Sequence, residues 1–96
     1  MEDLFKLGEI KISPRARDKM KTESDFKDFV FMSLGKYKNG IWGNVGPDIW
    51  RSNDMALGLT EGHIDAFYTR HGAGDSIAIS TDLGKNTTTI AFPFED

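Results

Sequence analysis

The sequence predicts an α+β fold, in which one sheet packs against helices. Residues 14 to 57 show helix-start signals and helical periodicity, whereas residues 63 to 93 contain three strand-like runs joined by short glycine-containing connections. A further strand-like run lies near the N-terminus, so the order is β-α-α-α-β-β-β. We expect an antiparallel sheet, made of a C-terminal three-stranded meander and the N-terminal strand, covered by the helices.

The N-terminal run FKLGEIKIS alternates around Gly8 and predicts a strand with a bulge or bend at the glycine. Ser13 followed by Pro14 is a helix-start signal, because serine caps helix N-termini and proline is favoured at the first helical position. We expect a short helix over residues 14–21. Its inward face should carry two apolar residues four positions apart, Ala16 and Met20.

A second helix start follows, with Thr22 or Ser24 as the expected N-cap. Its apolar residues recur at helical spacing and define one buried stripe: Phe26, Phe29, Val30 and Leu34. Gly35 is the expected stop of this helix, since glycine is common just after the last helical turn.

Residues 36–46 read as an irregular loop, and Pro47 starts a third helix that Gly58 and Gly62 should end. Trp50 is expected to anchor this helix in the core. Its inward stripe should hold Ile49, Asn53, Ala56 and Leu57, and its solvent side Asp48, Arg51 and Asp54. A buried amide at Asn53 must find partners, and we expect them to be backbone groups of the loop around Trp42.

Three C-terminal runs, HIDAFYTR, DSIAIST and TTTIAFP, are joined by HGAG and DLGKN, which read as hairpin turns. Alternation assigns the core face to Ile64, Ala66, Tyr68, Ile77, Ile79, Ile90 and Phe92. The opposite, polar face should carry His63, Asp65, Phe67, Thr69, Thr87, Thr89 and Ala91. Pro93 ends its strand or lies at an edge.

Composition limits the class of protein. The 96 residues predict a single domain over 1–96, with 39% hydrophobic residues and no cysteine. No apolar run approaches the roughly 18 residues of a membrane helix, and the N-terminus carries acids where a signal peptide needs basic residues. We therefore expect a cytoplasmic protein without a membrane segment.

No catalytic constellation is visible in the sequence. His63 and His71 lack metal-ligand spacing, and GAGD at 72–75 lacks the flanks of a phosphate-binding loop. Asp48 and Asp54 point to different faces of one helix, so they cannot easily act as a carboxylate pair. We expect a non-enzymatic protein with no catalytic site, metal or cofactor.

Charge is distributed unevenly, with a net +2 over residues 1–38 and a net −5 over residues 39–96. Acids interrupt and follow the basic run, which favours a solvated mixed-charge face over a nucleic-acid footprint. An alternative remains: a small nucleic-acid-associated regulator or plasmid-maintenance factor that uses the basic residues of helix 14–21. Those residues are Arg15, Arg17, Lys19 and Lys21.

Trp42 lies in a glycine-rich loop, where it either covers the edge of the core or anchors a partner protein. Phe67 is a large apolar residue on an otherwise polar sheet face. The candidate partner-binding residues are therefore Trp42, Asn44, Asp48, Arg51 and Phe67. The oligomeric state is open, because an edge strand could pair in a dimer.

One ordered set of motifs resembles a family of small plasmid- and phage-borne proteins, commonly labelled "plasmid-related protein". The set begins with Trp-Gly, then nine residues, Asn-Asp-x-Ala-Leu, a glycine, an aromatic strand and Thr-Thr-Ile-x-x-Pro, after an opening LGEIKISPRA. The matching positions are Trp42, Gly43, Asn53, Asp54, Ala56, Leu57, Gly62, Tyr68, Ile77, Ile79, Thr88, Thr89, Ile90 and Pro93. The chain departs from the pattern at Asn44, where relatives carry an acid, at Ala78, where they carry tryptophan, and at its Glu95-Asp96 end.

The resemblance implies accessory cargo of a mobile genetic element, and it transfers no activity to any residue. We therefore expect a protein-binding accessory factor that docks on a host or element-encoded protein. Its most concrete form is an anti-defence inhibitor of a restriction or CRISPR nuclease.

Overall fold

A computed structural model describes residues 5–70 and 75–93 of the chain, and its elements follow the predicted order. The elements are β1 (Glu9–Ile12), α1 (Pro14–Thr22), α2 (Ser24–Lys38), α3 (Pro47–Leu59), β2 (His63–Thr69), β3 (Ser76–Asp82) and β4 (Thr87–Ala91). The fold class is α+β, as predicted. The predicted HGAG turn and His71 lie outside the described residues, which omit 71–74.

The four strands form one sheet in the order β1-β4-β3-β2. β2, β3 and β4 make the predicted antiparallel meander, but β1 pairs with β4 in parallel, with Ile12 opposite Ile90. The expectation of a wholly antiparallel sheet is therefore wrong at β1. Three helices separate β1 from the meander, and this long connection lets the chain start β2 in the same direction as β1.

The core lies between the helices and one face of the sheet. Six inward positions predicted from strand alternation are buried: Ile64, Ala66, Tyr68, Ile77, Ile79 and Ile90. The helices α1 and α2 add Ala16, Phe26, Val30 and Tyr37 to the buried set. Threonines on β4 alternate as expected, because Thr88 is buried while Thr89 is exposed.

A chain of hydroxyl groups crosses this core. The hydroxyl oxygen of Tyr37 lies 2.7 Å from Thr81 Oγ1, and Thr81 Oγ1 lies 2.8 Å from Thr88 Oγ1. Thr88 donates to the carbonyl oxygen of Leu7 at 2.6 Å. The chain thus connects α2, β3, β4 and the residues just before β1.

The donor and acceptor in each of these hydrogen bonds follow from the group at the end of the chain, the Leu7 carbonyl. The carbonyl of Leu7 can only accept, so the Thr88 proton goes there, the Thr81 proton goes to Thr88, and Tyr37 donates to Thr81. Burial raises the pKa of Tyr37 well above its ordinary value, so its hydroxyl keeps the proton that it donates.

The helix boundaries are partly as predicted. Ser13 caps α1, since its Oγ accepts from the backbone N–H of Ala16 at 3.2 Å. Residue Glu23, not Thr22 or Ser24, occupies the N-cap of α2, and its side chain makes no capping bond.

Gly35 does not end α2, which continues to Lys38. The helix ends instead in a Schellman motif, in which Ile41 N–H donates to Lys36 O and Gly40 N–H donates to Tyr37 O. The extra turn carries Tyr37 to Thr81, and the burial of that contact outweighs the low helix propensity of glycine.

Asn53 on α3 is only 1% exposed, so the predicted buried amide is confirmed. The prediction of its partners is wrong, because the Asn53 amide forms hydrogen bonds with β2 and not with the Trp42 loop. Asn53 Nδ2 donates to Asp65 O at 2.7 Å, and Asp65 N–H donates to Asn53 Oδ1 at 3.0 Å. The amide therefore mimics a neighbouring strand and attaches α3 to the sheet.

The other predictions for α3 are confirmed in part. Trp50 is half-buried and packs against the core, as predicted for an anchor. Ile49 is 43% exposed, so its assignment to the inward stripe is wrong; the adjacent Trp50 fills that side of the helix. α3 runs through Gly58 to Leu59 and ends at Thr60, which is left-handed.

We predict that Thr88→Val lowers the free energy of unfolding by about 1–3 kcal/mol, because it leaves the buried Leu7 carbonyl without its donor. Thr89→Val on the exposed face of the same strand should change it by less than about 0.5 kcal/mol. Urea unfolding measures both values. Equal losses in the two variants would contradict a stabilising role for the hydroxyl chain.

Candidate functional site

The segment 42–44 lies along the edge of β2 like a short extra strand. Phe67 N–H donates to Trp42 O at 3.3 Å, and Asn44 N–H donates to Phe67 O at 2.6 Å. The side chain of Asn44 continues the pairing, because its Oδ1 accepts from Thr69 N–H at 3.2 Å. Backbone groups that an edge strand would expose are therefore satisfied here by the chain itself.

Trp42 is fully buried, so its interpretation as an exposed partner anchor is wrong, and the structural alternative holds. Its ring packs edge-on against Tyr37, with 5.4 Å between centroids. Its indole Nε1 donates to Asp54 Oδ1 at 3.2 Å. The loop-to-helix connection expected of Asn53 is thus made by the next residue, Asp54.

Gly43 is required where the segment meets β2. Its φ is +78°, and a Cβ built on it would lie 2.0 Å from Phe67 O. Both the left-handed backbone and the close approach exclude a side chain at this position.

A cleft of about 500 Å³ opens between α2, the segment 41–44 and the end of β2; we call it the α2 cleft. Its apolar lining consists of Phe29, Met32, Ile41 and Tyr68. Burial raises the pKa of Tyr68, whose hydroxyl donates to Ile41 O at 2.6 Å. This bond ties the two walls together and engages the Tyr68 proton.

Charged groups surround the apolar lining of the α2 cleft. Asp25 and Asp28 line it from α2, and neither carboxylate has an ion-pair or hydrogen-bond partner within residues 5–70 and 75–93. Lys36 lines it further along the same helix. Asp25 and Asp28 therefore make their part of the cleft lining acidic, whereas Lys36 is basic and lies further along α2.

Arg70, the remaining cation of the cleft lining, is engaged internally. It forms an ion pair with Asp75, which also accepts from Lys19 Nζ at 3.1 Å. The Arg70 guanidinium carbon lies 5.9 and 6.0 Å from the ring centroids of Phe26 and Phe29. Its buried Nε has no hydrogen-bond partner in the described part of the chain.

The ion pair between Lys19 and Asp75 shifts the pKa of both groups. Burial disfavours the charged form of Asp75, but hydrogen bonds from Lys19 and Arg70 outweigh it, so the pKa of Asp75 lies below its ordinary value. The hydrogen bond to Asp75 raises the pKa of Lys19, against a smaller effect of burial. Lys19 and Asp75 are therefore both charged at neutral pH.

Three of the five predicted partner-binding residues, Trp42, Asn44 and Phe67, meet through backbone pairing, whereas Asp48 and Arg51 lie apart from them on α3. Only Asn44 lines the α2 cleft. Asp48 and Arg51 are exposed on α3, as expected, and Phe67 is half-buried on the open face of the sheet. Sequence reasoning did not identify the other lining residues as candidate site residues. Met32 was a usable signal, because it is an apolar residue of α2 that lies off the predicted buried stripe.

The basic residues of α1 do not form one patch. Arg15 and Lys19 share one side of the helix, where Arg15 Cζ lies 5.8 Å from the ring centroid of Phe92 and Lys19 pairs with Asp75 and Glu23. Arg17 and Lys21 lie on another side, and Arg17 Nη2 donates to Ile12 O at 3.2 Å.

The described residues that line the α2 cleft supply two carboxylates, two cations, one side-chain amide, three hydroxyl groups and apolar groups, and none of them is a histidine. Among residues 5–70 and 75–93 no group of three histidine, aspartate or glutamate side chains is placed to hold a metal ion. His63 lies on the open sheet face, and its Nε2 is 4.0 Å from Asp82 Oδ2. No helix in these ranges is long and apolar enough to cross a membrane.

No protein-family model, curated protein or solved structure matches this chain.

We predict that Gly43→Ala lowers the free energy of unfolding by at least about 2 kcal/mol, because alanine must adopt a left-handed backbone and push Phe67 O away. Gly35→Ala is the matched control. Gly35 is helical with no atom within 4 Å of an added Cβ, so its replacement should stabilise the protein by about 0.5–1 kcal/mol.

Urea unfolding followed by tryptophan fluorescence measures both variants and reports on the burial of Trp42. A Gly43→Ala variant with unchanged stability and emission would contradict the close pairing of segment 42–44 with β2.

We predict that Asp75→Asn lowers stability at neutral pH and that this difference shrinks in acid. The folded state lowers the pKa of Asp75, so the ionised carboxylate stabilises the fold at pH values above the ordinary aspartate pKa of 3.8. That contribution is lost as pH falls through the lower folded-state value. Urea unfolding at several pH values between neutral and strongly acidic gives the difference. A difference that does not vary with pH would contradict the ion-pair explanation.

Proposed function

We propose that this protein is a non-enzymatic binding protein that docks on a partner protein through the α2 cleft. The observation that carries the proposal is apolar surface left open there: Met32 is 63% exposed and Ile41 is 48% exposed. An apolar centre within a polar rim is the usual anatomy of a protein-binding site.

The rim indicates the chemistry of the partner. The carboxylates of Asp25 and Asp28 have no partner among the described residues, so they favour a cationic group beside the apolar lining. The matching ligand is a peptide segment with an apolar side chain for the cleft and a lysine or arginine next to it. Phosphate backbones are disfavoured by the same carboxylates.

The size of the apolar surface favours a protein over a small molecule. The cleft volume alone suits either, since ligand sites span roughly 300–1,000 Å³. Phe31, which does not line the cleft, is also 54% exposed on α2, so this helix exposes apolar surface outside the cleft as well. A partner protein can cover both areas, whereas a ligand confined to the cleft leaves Phe31 in water.

We further propose a mobile genetic element as the biological setting, with a host or element-encoded protein as the partner. The resemblance around Trp42-Gly43 and Asn53-Asp54 is the support for this setting. An anti-defence role then means that the docked partner is a restriction or CRISPR nuclease.

The arrangement of the basic residues on α1 disfavours nucleic-acid binding. Lys19 is paired with Asp75 and Glu23, and Arg17 contacts the backbone of Ile12. The basic residues of α1 therefore do not present the one-sided cationic surface that phosphate binding requires.

Peptide selection tests the cleft. Random peptides displayed on phage are selected on the full chain and counter-selected on Met32→Asp. We expect a consensus with an apolar residue beside lysine or arginine, and a synthetic consensus peptide should shift the amide resonances of Met32, Ile41 and Asn44. Met32→Asp should weaken its binding at least about tenfold, as expected for a residue at the centre of an interface.

Met55→Asp is the matched control, because Met55 is 61% exposed on α3, outside the cleft. It should leave peptide affinity unchanged, and Asp28→Lys should weaken the affinity for cationic peptides. Peptides that bind Met32→Asp and Met55→Asp equally well would overturn the docking site. In cells carrying a restriction or CRISPR system, plasmid establishment should improve with the wild type and Met55→Asp, and not with Met32→Asp.

A further inference from the structure

The two edges of the sheet differ. Segment 42–44 covers the β2 edge through its pairing with Phe67. At the other edge lies β1, and within residues 5–70 and 75–93 no strand pairs with its outer side. An uncovered edge presents backbone donors and acceptors to any strand that can align with it.

The free groups of β1 centre on Ile10. Glu9 N–H donates to Asn86 O at 3.0 Å and Ser13 N–H donates to Ile90 O at 2.9 Å, so the odd-numbered residues bond β4. The alternation of a parallel ladder turns the N–H and C=O of Ile10 to the open edge. The Ile10 side chain is 43% exposed, and Arg17 already occupies the carbonyl of Ile12.

We propose that this edge binds β1 of a second copy of the same chain. The two strands run antiparallel about a two-fold axis that passes between the two Ile10 residues. Each Ile10 then exchanges both backbone hydrogen bonds with its counterpart, and the two sheets become one continuous sheet of eight strands.

The charges of Glu9 and Lys11 favour the register in which the two-fold axis passes between the two Ile10 residues. Glu9 and Lys11 lie on the face of β1 away from the helices, in register with Thr87 and Thr89, and have no ion-pair partner in the described part of the chain. An axis through Ile10 places each Glu9 opposite the Lys11 of the other copy. An axis through Glu9 or Lys11 places like charges opposite each other, which is unfavourable.

The proposed contact is small, so the dimer is a weak one. A single strand pair falls below the roughly 1,200 Å² of a stable interface, and we expect a dissociation constant on the order of 10⁻⁴ M. The α2 cleft lies beside β2, at the opposite edge, so pairing at β1 leaves both clefts open. This proposal does not rest on partner docking at the cleft, and its dimer would present two such sites.

Sedimentation equilibrium of the full chain, up to about 1 mM protein, tests the proposal at concentrations near the expected dissociation constant. We expect a monomer–dimer equilibrium for the wild type. Glu9→Lys alone and Lys11→Glu alone each create two like-charge pairs, and each should weaken dimerisation about tenfold. A mixture of these two variants should form a heterodimer, and the double variant should dimerise like the wild type.

Hydrogen exchange gives an independent measurement, since the Ile10 amide should exchange more slowly as wild-type concentration rises. Circular dichroism checks that the variants fold, as expected for two exposed positions. A wild type that stays monomeric at about 1 mM would overturn the proposal. So would a dimer that is indifferent to both charge reversals, or one that leaves Ile10 exchange unchanged.

Discussion

The hydroxyl chain from Tyr37 through Thr81 and Thr88 is the constraint on which the rest of the molecule depends. These hydroxyls are buried, so each must keep a partner, and the observed placement of α2 on β3 and β4 satisfies them all. The same tyrosine ring packs edge-on against Trp42. Trp42 in turn holds the segment that forms one wall of the α2 cleft. The cleft therefore depends on a core contact as much as on its own lining.

Buried polar groups help to organise this small core alongside apolar packing. Asn53 donates to and accepts from the backbone of Asp65, so α3 attaches to β2 as a neighbouring strand would. Trp42 and Asp54 form the next connection along the same helix. Such bonds are directional, and they fix one arrangement where apolar side chains alone tolerate several.

Some charged side chains are paired within the fold, and others have no ion-pair partner among the described residues. Lys19 and Arg70 are both paired with Asp75, so much of the cationic charge near α1 is used within the fold. The carboxylates of Asp25 and Asp28 remain without partners among the described residues. The part of the α2 cleft lined by Asp25 and Asp28 is therefore acidic, although its helix belongs to the half of the chain with the net positive charge, because pairing within the fold decides which charges are left without a partner.

The sequence by itself determined the order of the elements, the start of α1 at Ser13 and Pro14, and the buried face of each meander strand, because these depend on local capping and on period-two alternation. Only the tertiary structure decided the direction of β1, the extension of α2 past Gly35, the partners of Asn53 and the α2 cleft. Each of these depends on which groups meet across the fold. The bond from Thr88 to Leu7 joins residues 81 positions apart, and no local pattern encodes such a meeting.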